Sequence, residues 1–479
     1  MTGSGEIHGG LRVVAVSEGF GEPELSLEIV RALRILPGRR QVYAAKIVGS
    51  GAKVAAKRYL PHARQARDWR REWEGLAALR RLALPAPAPL AVVEDRGGAV
   101  WVLMHWLEGA VGLGDAVEAA DGATLEALAR DLVALVDRMH AAGVKQTDQH
   151  LDNWTVVDGR MHLLDAGGMR FASNPLAPGA RLSDLAAICV TLPPRLEDAF
   201  RVRLAADYQR DEPAVRNHLL SRLERAIIDV QRQRTRRYAR KTLRDCTEFK
   251  RAESPDYLGM HDRQADTELV RRFFADPESL MREGSCLKAG NTCTVQGIQV
   301  GGARYVLKRY NRMPFWTRLR RSFAPSRALR SWSNARVLEM GFVPTARALA
   351  FAEARAGILR GRCYLLMEHV EGVLLSDFAA EQDAASPELE AAADSVARIW
   401  AALGRMRGVH GDLKATNWIV DGAGKAHLFD LDAFRFGLSG AAYRRGRARD
   451  RRRFMRNWSE RPELAALFEA KLTAAEGEA

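Results

Sequence analysis

The sequence predicts an α+β fold that occurs twice in tandem, each copy starting with antiparallel strands and ending in helices. Two observations lead to this prediction. Several groups of residues recur in the same order in both halves of the chain, and each half changes from strand-like alternation to helical periodicity. At 479 residues the chain is also too long for a single compact core. We expect one domain over residues 11–240 and a second over residues 241–479.

The recurring groups agree in spacing as well as in order. From the glycine of each Glu-Gly pair to the following aspartate there are 39 residues in the first copy and 40 in the second, and five residues separate that aspartate from an asparagine in both. Four matches in register indicate a duplication. The matching groups are Lys57-Arg-Tyr59 and Lys308-Arg-Tyr310, Glu108-Gly109 and Glu371-Gly372, Asp148 to Asn153 and Asp412 to Asn417, and Asp165 and Asp430.

In the first copy, strands precede helices. Residues 41–47 and 53–59 are apolar or alternating and flank a glycine-rich turn, which is typical of a hairpin. A helix follows over residues 68–83, where tryptophans and leucines share one side, and Pro85 ends it. We expect a buried strand over 100–107 and an amphipathic helix over 124–140.

The second copy has the same succession of patterns. It predicts strands over residues 294–300, 303–310 and 363–370, with helices over 326–340 and 388–406. A basic helical stretch over 217–242 lies between the copies. We therefore place the boundary near the end of that stretch.

The repeated residue types suit phosphoryl transfer, which depends on positioning and on neutralising phosphate charge. A lysine that ends an apolar strand can hold phosphates, and Lys57 and Lys308 are the candidates. Glu72 is the predicted partner of Lys57, with Glu74 as a rival. The loop over the phosphates is expected to contain Gly290 in the second copy.

The aspartates and asparagines supply the remaining roles. An aspartate in a loop can orient an acceptor hydroxyl and accept its proton, and an asparagine five residues later can hold magnesium together with a second aspartate. The pattern thus predicts a protein-kinase-like, bilobal domain in each copy, with ATP and Mg²⁺ as cofactors. The candidate bases are Asp148 and Asp412, and the candidate metal ligands are Asn153, Asp165, Asn417 and Asp430.

Two departures from this pattern leave a non-catalytic role open, above all for the first copy. Gln146-Thr147 stands before Asp148, where kinases usually have His-Gly or His-Arg. In the second copy Ser331 aligns with Glu72, so the lysine there lacks the expected glutamate. The alternative to kinase activity in both copies is therefore that one or both of them are scaffolds, which bind nucleotide without turnover.

Composition limits the setting in which the chain works. A net charge of +14 favours phosphate-bearing partners, but no nucleic-acid-binding motif accompanies it. No secretory signal and no apolar run long enough to span a bilayer are present, so we expect a cytoplasmic protein. Its five scattered cysteines form neither a metal motif nor a disulfide framework.

The second copy resembles the lipopolysaccharide core kinases, the family of Kdo and heptose kinases, and the first copy resembles them more loosely. The resemblance rests on Leu307 to Asn311, Phe315 to Arg321, Pro325 to Ala335, His410 to Leu413 and Leu428 to Asp432. It implies ATP-dependent phosphorylation of a heptose or Kdo hydroxyl in the inner core, at the cytoplasmic face of the inner membrane. The partners implied are the core glycolipid and the membrane surface, and we expect no nucleic acid.

A basic, aromatic segment of the second copy suits such an acceptor or a membrane surface. A solvated basic helix is the alternative for any of its arginines. A protein kinase or a small-molecule kinase of another acceptor class also stays open, although the basic segments favour an anionic acceptor. The predicted contact residues are Trp316, Arg318, Arg320 and Arg321.

Overall fold

The computed structural model describes residues 6–17, 24–207, 213–311, 325–356 and 359–477. The chain divides into two compact units, Met1–Val230 and Gln231–Ala479. Both units combine strands with helices, which confirms the α+β class. The assignment of a kinase-like domain to residues 11–240 and of another to 241–479 stays a prediction.

The first unit begins with a closed antiparallel barrel, in the strand order β1-β2-β3-β4-β6-β5. Pairing of β1 with β5 closes the barrel. Its interior is apolar and includes the fully buried side chains of Tyr43 and Trp101. The strands are β1 (Ile7–Val16), β2 (Glu24–Leu36), β3 (Arg40–Ile47), β4 (Lys53–Tyr59), β5 (Pro89–Glu94) and β6 (Val100–His105).

Helices make up most of the rest of the first unit. The helix α1 packs its buried side on the barrel and on the turn that follows Asp165. Further along, α3 is amphipathic and contributes apolar residues to a second core. The helices are α1 (Gln65–Arg81), α2 (Leu113–Ala119), α3 (Gly122–Ala141), α4 (Pro178–Cys189), α5 (Pro194–Asp207) and α6 (Pro213–Lys241), the last of which continues past the end of the first unit at Val230.

Short strands and 3-10 turns carry the candidate catalytic residues of this unit. A 3-10 turn over Leu151–Asn153 leads into a two-stranded hairpin, and a second 3-10 turn, Ala166–Gly168, directly follows Asp165. The short strands are β7 (Val111–Gly112), β8 (Val144–Gln146), β9 (Trp154–Val157), β10 (Arg160–Leu163) and β11 (Met169–Phe171).

The second unit is built on a seven-stranded antiparallel sheet, in the order β12-β13-β17-β18-β16-β15-β14. Lys308 lies near the end of β16, as Lys57 lies near the end of β4. The strands of this sheet are β12 (Phe249–Glu253), β13 (Tyr257–Asp262), β14 (Ser285–Ala289), β15 (Cys293–Val300), β16 (Ala303–Tyr310), β17 (Ala348–Ala356) and β18 (Leu359–Glu368).

The helices and the last short strands of the second unit enclose a large core, in which Trp332, Trp400 and Trp418 are almost fully buried. The helices are α7 (Thr267–Ala275), α8 (Pro277–Glu283), α9 (Arg327–Met340), α10 (Leu375–Glu381), α11 (Pro387–Arg405), α12 (Gly440–Met455) and α13 (Pro462–Gly477). The short strands are β19 (Val373–Leu374), β20 (Trp418–Val420) and β21 (Ala426–Leu428).

The regular elements predicted in the two copies are present, with ends displaced by a few residues. The predicted helix over 68–83, for example, is α1, and the predicted strand over 303–310 is β16. The sequence analysis did not predict the longer strands β1, β2, β5, β12, β13, β14 and β17. No recurring group of residues marks any of these strands.

Candidate functional site

Lys57 of the first unit lies in a buried ion pair with Glu72, which α1 contributes. The same ammonium group donates to the carbonyl of Leu164, at 3.0 Å, and lies 3.6 Å from Asp165 Oδ1. The other oxygen of Glu72 accepts from the backbone N–H of Gly167, at 2.9 Å. Glu72 therefore ties the strand lysine to the turn after Asp165, while its rival Glu74 is exposed.

The surroundings shift the pKa values of the two carboxyl groups in opposite directions. Desolvation raises the pKa of Glu72 to about 7, because Lys57 offsets only part of that cost and Asp165 adds repulsion. The pKa of Asp165 is held well below its usual range, first by Lys57 and then by hydrogen bonding to Glu72 and by Arg40. Asp165 is therefore the firmly ionised member of the pair.

Arg40, the first residue of β3, supplies a second cation to Asp165. Its Nη2 lies 3.5 Å from Asp165 Oδ2, so that each carboxylate oxygen has a cation beside it. The guanidinium also lies over the ring of Tyr59, 5.9 Å from its centroid. Burial works against the charged form of Arg40, but the neighbouring acidic groups outweigh it and raise its pKa.

In the second unit, Lys308 is held by two aspartates of one loop and has no glutamate partner on the helix. Its Nζ lies 2.6 Å from Asp430 Oδ1 and 3.3 Å from Asp432 Oδ1. Ser331, which occupies the place of Glu72, donates to Asp432 at 2.6 Å. In the second unit the lysine is therefore anchored by Asp432, whereas in the first unit it is anchored by Glu72 of a helix.

Asp432 is the centre of a partly buried network. Tyr310 donates to Oδ1 at 2.6 Å, and Arg327 contacts Oδ2 through Nη2 and Nε, at 2.5 and 3.1 Å. Burial alone would raise the pKa of Asp432, but Lys308 and these donors together lower it. The pKa of Lys308 is raised because Asp432 and Asp430 outweigh its desolvation. Asp432 is therefore an ionised anchor.

The asparagines hold the loops of the two candidate bases in the same way. Asn153 donates its side-chain N–H to the carbonyl of Asp148, at 2.7 Å, and Asn417 donates to the carbonyl of Asp412, at 2.8 Å. Because the amide nitrogen is used, the carbonyl oxygen of each asparagine is the atom available to a cation.

The two candidate bases differ in their surroundings. Asp148 is exposed. Asp412 is partly buried and lies between two cations, with Lys414 Nζ 3.7 Å from Oδ2 and the guanidinium of Arg453 on Oδ1. Only the second unit therefore places cationic side chains directly against its candidate base, among the residues that the structure describes.

A buried aspartate on α12 supports the loop before Asp412. Asp450 accepts from the backbone N–H groups of His410 and Gly411. His410 Nε2 lies 3.0 Å from the carbonyl of Phe429, which fixes the loop against the residue before Asp430. Burial lowers the pKa of His410, so the imidazole is neutral near pH 7.

The first unit builds the corresponding support from different groups. Gln146 takes the place of His410, and its Nε2 donates to the carbonyl of Asp165, at 3.3 Å. The buried Asp184 of α4 contacts the side chains of His140 and Gln149, at 3.1 and 3.2 Å. Gln146 therefore still links the loop before Asp148 to the segment of Asp165. It does so through the carbonyl of Asp165 itself, whereas His410 contacts the carbonyl of the residue before Asp430.

The backbone of the metal-binding candidates also differs. Asp430 has φ 61° and ψ 59°, in the left-handed region, whereas Asp165 is extended at φ −123° and ψ 93°. The left-handed region is sterically costly for a residue with a Cβ atom, though asparagine and aspartate tolerate it best. The contacts of Lys308 and of the Asp432 network hold Asp430 in that conformation.

A cavity of about 390 Å³ in the second unit is lined by the candidate phosphate and metal residues. Apolar side chains from the sheet and the hairpin complete its wall, which suits a planar base next to a polar end. Gly290 lies in the turn between β14 and β15, beside this cavity's Lys288 and Cys293 in sequence. The polar residues that line the cavity include Lys308, Ser331, Lys414, Asn417 and Asp430.

The donor set of this cavity fits a hard divalent cation such as Mg²⁺. Asn417 offers a carbonyl oxygen, and Asp430 offers a carboxylate on which the described residues place one cation, Lys308. Asp165 of the first unit fits less well, since Lys57 and Arg40 lie against its two oxygens.

Several predicted and unpredicted residues remain to be placed. Trp316, Arg318, Arg320 and Arg321, the predicted acceptor and membrane contacts, lie outside the described residues. Sequence reasoning did not predict the contacts made in the two sites by Arg40, Asp432, Arg327, Asp450 and Arg453. Asp450 and Arg453 lie within the arginine-rich run over residues 444–453, whose charge is typical of a solvated or membrane-facing helix. In fact Arg447 of that run is buried over the ring of Trp400, at 3.2 Å from its centroid.

Comparison with known families agrees with the two-copy interpretation. Residues 273–466 match the model of the lipopolysaccharide kinase (Kdo/WaaP) family, and residues 33–166 match the model of the phosphotransferase enzyme family. The predicted resemblance to the lipopolysaccharide kinases is thereby confirmed, with kinase-like sequence in both halves. No curated protein matches the chain. Among the described helices, none is long and apolar enough to cross a membrane.

Proposed function

We propose that the second unit is a bilobal kinase domain that transfers phosphate from ATP to a heptose or Kdo hydroxyl of the lipopolysaccharide inner core. The observation that carries this proposal is the cavity lined by Lys308, Asn417 and Asp430, in the half that matches the lipopolysaccharide kinase family. The apolar part of the cavity would take the adenine, and the polar end would take the phosphates.

The residues of this site divide the work of phosphoryl transfer among them. Lys308 would bind the phosphates, held in place by Asp432. Asp412 would orient the acceptor hydroxyl and receive its proton. Magnesium, held by Asn417 and Asp430, would neutralise phosphate charge when it is bound.

The surroundings of Asp412 support an anionic acceptor. Arg453 and Lys414 lie on the two oxygens of the candidate base, and both can instead bind a carboxylate or phosphate of the incoming substrate. Inner-core sugars carry such groups, whereas a neutral sugar would leave both cations paired with Asp412. We further propose that the chain, with its net charge of +14, works as a peripheral protein on the cytoplasmic face of the inner membrane.

Transfer of labelled phosphate from ATP to purified core glycolipid tests this function. We expect mass spectrometry to find one added phosphate on a core sugar with the wild-type chain and none with the Lys308→Ala variant. The proposal is wrong if the chain hydrolyses ATP or labels proteins but leaves the glycolipid unmodified.

The choice of acceptor can be tested separately from ATP use. Arg453→Gln should raise the KM for the glycolipid by about tenfold, the loss expected of one charge-assisted contact, and leave the KM for ATP unchanged. Arg452→Gln is the matched control, since Arg452 is an exposed neighbour on α12. Equal effects of the two substitutions would argue against a specific acceptor contact at Arg453.

A further inference from the structure

We infer that the first unit binds a nucleoside triphosphate without a divalent metal ion, and that Arg40 supplies the positive charge that magnesium supplies elsewhere. The proposal goes beyond the function proposed for the second unit and does not depend on it. It begins from the two oxygens of Asp165, each of which has a cation within 4 Å.

Strand register identifies the residue of the second unit that corresponds to Arg40. Arg40 pairs with Tyr59 across β3 and β4, and Cys293 pairs with Tyr310 across β15 and β16. Tyr59 and Tyr310 are themselves equivalent, because each lies two residues after the strand lysine. The first unit therefore has an arginine where the second unit has a buried cysteine in the wall of its cavity.

In the second unit the second cation, Arg327, lies on Asp432 and not on Asp430. Arg327 contacts Asp432, which anchors the lysine, and among the described residues only Lys308 provides a cation to Asp430. In the first unit the second cation lies on Asp165, the equivalent of Asp430 itself. A divalent ion at Asp165 would meet Lys57 and Arg40 on the same carboxylate, and its repulsion from both opposes binding.

The position of Arg40 also suits direct contact with phosphates. It follows the turn at Pro37-Gly38-Arg39 that joins β2 and β3, which corresponds to the turn of Gly290 between β14 and β15 in the second unit. Its guanidinium has five N–H donors, and the contact with Asp165 uses one nitrogen. About a fifth of the side chain is exposed (21%), which leaves a face for a ligand.

Isothermal titration of the full-length Lys308→Ala chain with ATP, once with Mg²⁺ and once with EDTA, tests the inference. The Lys308→Ala substitution weakens ATP binding at the second site. Comparison with the Lys57→Ala/Lys308→Ala chain then shows how much of the remaining binding heat comes from the first site. We expect the Kd for ATP at the first site to be the same in the two buffers within about threefold.

Replacing Arg40 should make binding depend on the metal. In the same background Arg40→Cys, which installs the residue of the other unit, should weaken ATP binding in EDTA by about tenfold or more, and Mg²⁺ should restore part of the loss. Arg39→Gln is the matched control, because Arg39 is an exposed neighbour in the same turn.

Two outcomes would overturn the inference. One is that ATP binds the Lys308→Ala chain only with Mg²⁺, whether or not Arg40 is present. The other is that this chain binds no ATP in either buffer. Phosphate transfer by the unmodified chain is proposed for the second unit, so its success or failure is read independently of both outcomes.

Discussion

The two units surround their strand lysines with the same charges but connect them differently. Each has two cations and two carboxylates. In the first unit Glu72 anchors the lysine and Arg40 lies on Asp165. In the second, Asp432 anchors the lysine and Arg327 lies on Asp432 itself. The same number of charges therefore leaves one oxygen of Asp430 without a described cation in the second unit, whereas both oxygens of Asp165 have a cation beside them in the first. This difference is the basis of the proposed division into a transferring site and a binding site.

The loops of the candidate bases differ in a parallel way. Asp450 accepts two backbone N–H groups and so fixes the path of the chain before Asp412. Asp184 contacts side chains and leaves that backbone to other groups. The more rigidly held loop belongs to the unit in which cations lie on the candidate base.

The largest difference between the units should appear when each candidate base is neutralised. Asp412→Asn should lower phosphate transfer to the core glycolipid by about 10²–10⁴-fold, the usual contribution of a positioned general base. Asp148→Asn should leave the rate within about twofold if the first unit does not transfer phosphate. Steady-state rates of the two variants provide the measurement, and a large loss for Asp148→Asn would remove the distinction between the units.

The anchoring aspartate should matter next most. Asp432→Asn leaves Arg327 without its partly buried partner and Lys308 with Asp430 alone, so the free energy of unfolding of the second unit should fall by about 3–5 kcal/mol. Transfer should fall with it, because Lys308 loses part of its support. Urea denaturation followed by tryptophan fluorescence measures the stability.

Glu72→Gln is the matched change in the first unit. It should destabilise that unit, since Lys57 loses a buried charged partner, without lowering phosphate transfer. If Glu72→Gln and Asp432→Asn reduce transfer equally, then the two lysines contribute equally to the reaction.

Neutralising the loop-supporting aspartates should give a smaller effect. Asp450→Asn weakens charge-assisted hydrogen bonds from His410 and Gly411, each worth about 1.5–3 kcal/mol, and should lower kcat more than it raises the KM for ATP. Asp184→Asn should destabilise the first unit and leave kcat unchanged. A loss of stability without a change in kcat for Asp450→Asn would limit its role to folding.

The smallest effect concerns pH. Burial lowers the pKa of His410 below its ordinary 6.5, so below that pH the unfolded chain binds more protons than the folded one. The stability of the second unit should therefore decrease as the pH falls through 6.5 towards the folded-state pKa. Asp450, Asp430 and Asp412 oppose the shift but do not reverse it.

His410→Gln, which copies Gln146 of the first unit, should flatten this pH dependence. Urea midpoints measured at about pH 7.5 and about pH 5.5 give the comparison, because that interval brackets the ordinary pKa of histidine. Asp450 has a raised pKa with the opposite influence at lower pH, and it is present in both proteins. An unchanged slope in the variant would assign the pH dependence to other groups.

Periodicity and spacing predicted the parts of this molecule that depend on local sequence. The strands of Lys57 and Lys308, the helix that provides Glu72 and the asparagines of both loops were all predicted from such patterns. These residues could be placed because each lysine lies near the end of an apolar strand and each asparagine follows its aspartate by five residues in both copies. The role of each residue in catalysis stays a prediction.

The contacts that distinguish the units could not be predicted in this way. Arg40 and Asp165 are 125 positions apart, and Arg327 and Asp432 are 105 apart, so no local pattern links them. Asp450 lies in the arginine-rich run over residues 444–453, and a charged run of this kind is typical of a solvated surface and not of a buried carboxylate. Register offered one usable signal: an arginine opposite Tyr59, where cysteine lies opposite Tyr310.

The distinction between the units depends most directly on which aspartate holds a metal ion. Electron paramagnetic resonance can follow Mn²⁺ bound to the full-length chain in the presence of a non-hydrolysable ATP analogue. Asparagine keeps the shape of the side chain and tolerates the left-handed backbone of Asp430, so Asp430→Asn and Asp165→Asn test charge alone. We predict that Asp430→Asn abolishes the protein-bound Mn²⁺ signal and that Asp165→Asn leaves it unchanged. Equal losses from the two substitutions would contradict the account.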